Sequence, residues 1–343
     1  MVTVARAVGV ARSTVSKALR DDPSIPPARR REIQRAAKSL GYRPNPLVAA
    51  LMARLHSHRR RNDPHHLAWI DLWPDDREAA RTTDFKLLLR GAKQRADELG
   101  YQIEVHHVGR DGTSATRLHQ ILISRSHWGL IIPPVPREAM AFPLELEGLT
   151  GVTIGTSLHH PVMHRVASNL YQGSQLAAQK LRERGFRRIG LVLSPSMNLR
   201  VEKKWLGAYL AEQKEWPTAE CLPPLLVAAD DEERFRRWFE QSKPDVILLA
   251  EPHIENWLAK RHAGNVGTPP VAWLRMIEAT RKESLGIDTR PAKMGAAAVE
   301  LVVAQIHRNE RGSPPIPHTL LLDGVWCEGR SKAPEPKCSH AVG

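Results

Sequence analysis

GVARSTVSKAL, residues 9–19, is the stretch that decides how the chain begins. Gly9 punctuates it, and Val15, Ala18 and Leu19 then share one helical face. Arg12, Ser13, Ser16 and Lys17 fall together on another face, as helical spacing requires. Upstream, Val4, Ala5 and Val8 line one side of a first short helix that stops at Gly9. Two short helices joined by a glycine-containing turn form the helix-turn-helix pattern. In that pattern the second helix lies in the major groove of DNA, with its early residues at base edges. A third helix begins at Pro26-Pro27 and runs to Leu40, with Ile33, Ala36, Ala37 and Leu40 as its buried stripe and Gly41 as its stop. The Arg29-Arg30-Arg31 run reads as a solvated or phosphate-facing surface rather than a base reader.

The charge distribution singles out the same segment. Residues 1–61 hold fourteen Lys/Arg against three acids, a net of +11 out of +13 for the whole chain of 343 residues. The remaining 282 residues are therefore nearly neutral at +2. A small, helix-patterned and strongly basic segment is built to meet a polyanion.

RPNPLVAALMARL follows at residues 43–55. Asn45 suits an N-cap and Pro46 the first helical position. Leu47, Val48, Leu51, Met52 and Leu55 make an apolar stripe on a helix of about ten residues, too short to persist alone in water. It requires a partner: its own second copy, DNA, or both. HSHRRRNDPHH, residues 56–66, reads as a linker. Its clustered His56, His58, His65 and His66 are of the kind more often solvated than ligating, and no metal is expected.

From residue 67 the pattern changes to short apolar strands alternating with amphipathic helices, the mark of parallel α/β sheets. Strands are predicted at 67–73, 101–108, 129–134 and 151–157, and helices at 84–99 and 113–126. The second half repeats the scheme, with helices at 169–184, 199–214, 231–241 and 253–262 between the strands RRIGLVL, PPLLVA, DVILLA and PVAWL. A long helix at 291–309 precedes TLLLDGVW. The length suits two Rossmann-like lobes.

GVARSTVSKAL, then I-P-x-x-x-R-R-x-I, then LGYRPN, then a short apolar helix, resembles the headpiece of the LacI/GalR family of bacterial transcriptional regulators. The resemblance continues through QRADELGY, GLII, KLRERGFRRIGLVL, PDVILLA and GIDTRPAKMGAAAVELV, to about residue 331. It implies an all-α helix-turn-helix headpiece (1–43), a hinge helix and linker (44–65) and a periplasmic-binding-protein-like α/β core of two Rossmann-like lobes (66–331). Lobe 1 would comprise 66–157 and 288–316, and lobe 2 158–287 and 317–331. Crossings would fall near 156–161, 286–290 and 314–318. A disordered tail, 332–343, would follow.

By the same resemblance Arg12, Ser13 and Lys17 read bases, Thr14, Ser16 and Asn45 fix the backbone, Arg20 joins the DNA-binding face, and Leu51 wedges into the minor groove. The default ligand site is the cleft between the lobes. By position Asp84, Phe85 and Leu88 face it from the first lobe, Arg200 and Lys204 from the second, and Thr289 from a crossing. Trp273 is carried as a candidate stacking residue, beside its alternative as core.

The chain departs from the family pattern at several places. Met1 falls inside the first helix, which points to a native start upstream or to a frayed helix. Ala11 stands where a capping Ser is usual, a change that costs roughly 0.5–2 kcal/mol. The hinge lacks the usual Ala-Arg. Glu251-Pro252 replaces Asn-Asp, Lys204 replaces Arg, and Ala272-Trp273-Leu274-Arg275 replaces Gly-Tyr-Asp-Asp. These last positions hold sugar hydroxyls in sugar-binding relatives, so a simple sugar is not the expected effector.

The expected function is therefore a regulator, most simply a repressor, that binds a pseudo-palindromic operator as a homodimer, with a small molecule, carbohydrate or nucleoside-like, in the cleft. Alternatives are a regulator answering to a protein partner or to nothing, and a cytoplasmic enzyme with a basic appendage. Against the last, the chain has no GxGxxG after a strand, no GxxxxGK[ST], no GxSxG and no HExxH. No cofactor is expected. Cys221, Cys327 and Cys338 form no CxxC pair, and no apolar run of membrane length occurs, so a reducing cytoplasm is the expected compartment.

Overall fold

The computed structural model describes residues 2–19, 25–40, 65–74, 84–136, 140–261, 268–276 and 284–328. Three helices open it: α1 (Val2–Ala7), α2 (Arg12–Ala18) and α3 (Pro27–Ser39). Gly9 takes a left-handed φ of 62° in the turn between the first two. Val4, Val15, Ala18, Ile33 and Ala37 close into one small core. Leu40 departs from expectation: it lies past the end of α3 and is 47% exposed, so the helix ends one turn position short of burying it. Two of the three consecutive arginines hold this bundle together. Arg29 Nη2 donates to Val8 O at 2.8 Å and Arg30 Nη2 to Ile25 O at 3.0 Å.

The first lobe is built on six parallel strands in the order β13-β7-β5-β3-β1-β2. These are β1 (His65–Asp71), β2 (Tyr101–His107), β3 (Gly129–Ile132), β5 (Thr150–Ile154), β7 (His164–Ser168) and β13 (Thr319–Leu322). A two-residue β4 (Met140–Ala141) and β6 (Leu158–His160) pair beside it. Helices α4 (Phe85–Glu98) and α12 (Pro291–Arg308) cover one face, and α6 (Ala115–Ser124) the other, with a single turn α5 (Val108–Asp111) after β2. Two glycines bring α4 and α12 into backbone contact. A Cβ at Gly91 would lie 1.9 Å from Ala292 O, and one at Gly295 2.0 Å from Leu88 O.

The second lobe has strands in the order β14-β12-β11-β10-β8-β9, parallel except for β14. They are β8 (Ile189–Leu193), β9 (Leu225–Leu226), β10 (Val246–Leu249), β11 (Val271–Trp273), β12 (Leu285–Asp288) and β14 (Val325–Cys327). Around them lie α7 (Leu170–Glu183), α8 (Pro195–Arg200), α9 (Lys204–Glu212), α10 (Glu232–Ser242) and α11 (Pro252–Arg261).

Two of the three crossings differ from those expected. β7 belongs to the first sheet, so the first crossing follows Ser168 rather than lying at 156–161. TLLLDGVW is divided between the two sheets. It breaks at Asp323-Gly324, leaving β13 in the first sheet and β14 in the second, so the last crossing is there and not at 314–318. The middle crossing lies between β12 and α12, at residues 289–290. The helix predicted over 199–214 is also two: Glu202 and Lys203 take φ of 53° and 59°, ending α8 and starting α9. The break at Glu202-Lys203 carries no Gly or Pro that would have signalled it.

His164 makes the fold acid-sensitive. Its Nδ1 accepts the backbone N–H of His318 at 2.9 Å, which requires that nitrogen to be unprotonated. Burial first, then the neighbouring His318, hold its pKa below the usual 6.5. The unfolded chain therefore takes up the proton first as pH falls. The stability this residue contributes is complete above about 6.5 and is lost as pH drops through the folded-state value. Urea midpoints are expected to fall between pH 7.5 and 5.5, and to fall less in His164→Gln; equal slopes would clear this residue of the role.

Candidate functional site

Helix α2 is set on α3 by Val15 and Ala18, both fully buried, and Gln34 Nε2 closes its end by donating to Ala18 O at 3.1 Å. Its start has no side-chain cap: Ala11 is extended and offers no acceptor. With one face committed to the core, Lys17 is exposed and Thr14 half-buried. Arg12, Ser13 and Ser16 occupy α2 by backbone position; nothing is described of their side chains. Arg20, Asn45 and Leu51 lie outside the described residues, as do the hinge and the linker before His65.

The second candidate site lies between the lobes, at the carboxyl ends of their strands. It has about 740 Å³ of space, counting its open mouth. Its walls are largely apolar, with Leu88, Ile154, Met197, Val201, Trp205 and Met294 among them. Polar groups are few: Asp84, Thr156, Ser157, Ser168, Arg275 and Thr289, besides Arg200. Asp84 stands at the N-cap position of α4 without capping it. Loss of hydration pulls the pKa of Arg275 below the ordinary arginine value, and the carboxylates of Asp84 and Glu251 oppose that shift. Glu251 is already engaged, since Ser194 donates to it through N at 2.7 Å and through Oγ at 2.8 Å.

Arg200 spans the cleft. Its Nη2 donates to Val135 O at 2.6 Å and Nη1 to Pro136 O at 3.3 Å, both on the opposite lobe. Its carbonyl accepts from Thr156 Oγ1 at 2.6 Å, and its guanidinium carbon lies 5.9 Å from the centre of the Trp73 ring. Charge-assisted hydrogen bonds of this kind contribute about 1.5–3 kcal/mol each at best. Arg200→Ala is expected to loosen the closed arrangement, read as a larger radius of gyration in solution scattering; an unchanged profile would show that the tie does not hold the lobes.

Of the cleft residues expected from sequence, Asp84, Leu88, Arg200 and Thr289 line the cavity. Three do not. Phe85 turns into the first-lobe core, edge-on to Trp69 at 5.8 Å. Lys204 is a half-buried helix-surface charge paired with Glu202. Trp273 is fully buried among the second-lobe aromatics and cannot stack on a ligand. Sequence reasoning missed Arg275, Trp205 and the polar run Thr156-Ser157. Arg275 and Thr156 each follow the end of an apolar strand, and that position alone would have marked them.

A small helical headpiece stands ahead of two parallel-sheet lobes that enclose a cleft, and the core has the periplasmic-binding-protein-like fold. Residues 1–45 match the family described as "Bacterial regulatory proteins, lacI family". It is 26% identical over 214 residues to the ribose operon repressor of Lactococcus lactis subsp. lactis (strain IL1403), covering 62% of this chain and 59% of that protein. It is 29% identical over 196 residues to the HTH-type transcriptional regulator CelR of Thermobifida fusca, covering 56% and 54%. The chain thus matches rather more than half the length of either relative. A solved structure of a transcriptional regulator CelR–cellobiose complex aligns over 95% of this chain and 97% of that one, with a TM-score of 0.53 at 18% identity. That likeness extends the fold through both headpiece and core.

Proposed function

We propose that the protein is a sequence-specific DNA-binding transcription regulator, a repressor in its simplest form, that holds a pseudo-palindromic operator as a homodimer. The observation that carries this reading is the headpiece. A basic segment folds around its own small core and leaves Lys17 exposed on the helix whose position corresponds to the reader. One short helix spans too few bases for specificity, and two-fold dimers match palindromic sites. Phosphate contacts make binding steeply salt-dependent. Selection of duplexes from a random pool at about physiological salt is the test, and a palindromic consensus is the expected outcome. Lys17→Ala is expected to cut specific affinity by about 1–3 kcal/mol. No enrichment from the pool by full-length protein would sink the reading.

The cleft is the proposed effector site, and an effector there acts by favouring one lobe arrangement over the other. The ligand classes to try first are those suggested by the relatives' names, pentoses and cellobiose-like disaccharides, together with nucleosides. The apolar walls favour a less polar ligand than a simple sugar. A second reading, a regulator with no small-molecule effector, draws support from Arg200, whose hydrogen bonds to Val135 and Pro136 join the lobes through protein groups alone. A ligand-induced rise in melting temperature separates the two readings.

A further inference from the structure

The first lobe gathers three histidines around one carboxylate, away from both sites above. β1 and β2 pair in register, with His66 opposite Gln102, Ala68 opposite Glu104 and Ile70 opposite His106. Alternation along the strands therefore puts His66, Glu104 and His106 on one face of the sheet. The fourth member comes from the turn after α6. Ser126 takes a left-handed φ of 58° there, and His127 N donates to Leu122 O at 2.9 Å. This turn tucks the His127 ring under the sheet, where its side chain is 1% exposed.

The polar atoms of the cluster are close but poorly satisfied. Ligand atoms of His66, Glu104 and His127 all lie within 4.8 Å of one another. His127 Nε2 is 2.9 Å from Glu104 Oε2, and His106 Nε2 is 3.9 Å from Glu104 Oε1. Yet His127 Nδ1 and His106 Nε2 have no hydrogen-bond partner, and His127 Nε2 has only the Glu104 carboxylate beside it. The His66 and His127 rings sit 5.7 Å apart, and those of His106 and His127 5.5 Å. Buried polar atoms without partners are destabilising. A cation accepts those lone pairs directly. Burial, opposed by Glu104, holds both inner imidazoles below the usual histidine range, in the neutral form that ligates. Arg125 also reaches Glu104 Oε1, but its side chain is 59% exposed and can withdraw into water.

We propose that His66, Glu104 and His127, with His106 as a fourth ligand, form a binding site for a borderline divalent transition metal of the zinc type. Imidazole with a carboxylate is the donor set such ions take, at about 2.0–2.2 Å per bond in tetrahedral geometry. Of the two described histidines noted in the linker sequence, His65 and His66, His66 takes part. It is the second residue of β1, at the end of the core where the chain arrives from the headpiece. Ligation would pin the start of β1 to β2 and to the turn before β3. It would stiffen the point from which the headpiece hangs.

The test is titration of the full chain with Zn²⁺, followed by Co²⁺ substitution with visible absorption. One ion per chain and a tetrahedral Co²⁺ band are expected. His66→Ala and His106→Ala, each confirmed as folded by its melt in chelator, are expected to weaken binding about tenfold or more and to remove the band. His318→Ala, in the separate pair with His164 whose rings lie 5.0 Å apart, leaves binding unchanged. Binding that is absent from the wild type, or equal in wild type and His66→Ala, overturns the proposal.

Discussion

Gly295→Ala is expected to lower the unfolding free energy of the core by about 3 kcal/mol, the upper end of what overpacking costs. The added methyl would meet Leu88 O at 2.0 Å, and backbone cannot turn aside as a side chain does. Gly91→Ala, which meets Ala292 O at 1.9 Å, should behave alike. Gly207 provides the contrast. It also sits in a helix, α9, but nothing lies within 4 Å of its would-be Cβ. Gly207→Ala is therefore expected to stabilise by about 0.5–1 kcal/mol, the ordinary gain of Ala over Gly in a helix. Urea unfolding of the three variants is the measurement. An unaltered midpoint in Gly295→Ala would mean that α4 and α12 can slide apart. That displacement would shift Asp84, Leu88 and Met294, which line the cleft.

Val15→Asp is expected to abolish specific DNA binding, by at least about a hundredfold against the large gap between specific and non-specific affinity. Val15 is fully buried in a core of a few small side chains. A domain of that size has little stability to spare, and an unpaired carboxylate there costs several kcal/mol. The headpiece should unfold while the two lobes keep their own melting transition. Calorimetry and fluorescence anisotropy on an operator duplex report the two halves separately. Retained binding with an unfolded headpiece would place the DNA contact elsewhere in the chain.

Much of the architecture was legible because its causes are local. Periodicity and stop residues placed most helices within about two residues, and continuous apolar runs marked the buried parallel strands. The headpiece was legible in the same way: Val15, Ala18, Ile33 and Ala37 are where a helical repeat puts them. What was not legible depended on partners distant in sequence. HRVAS has too few apolar residues to announce a strand, and β7 exists because β5 and β13 flank it. The break at Glu202-Lys203 is made of residues that ordinarily favour helix, held left-handed by the packing around Trp205 and Val201. At the cleft, Arg200 was identified as a candidate, but only the fold shows that it reaches Val135 and Pro136. Trp273 failed as a ligand residue because its side chain is packed in the core with Phe235, Trp238 and Trp257, contributed by helices distant in sequence.

The three crossings have one more consequence. Each lobe is assembled from separate stretches of chain, so neither can be cut out as a continuous fragment. A single proteolytic nick at Ser168, at Asp288 or at Asp323-Gly324 leaves two intact covalent straps between the halves. The straps also restrict relative movement to rotation about the line on which they lie. Displacement then grows with distance from that line, as at the free edge of a door. A small change at the Arg200 tie therefore becomes its largest movement at the far rim of the lobes.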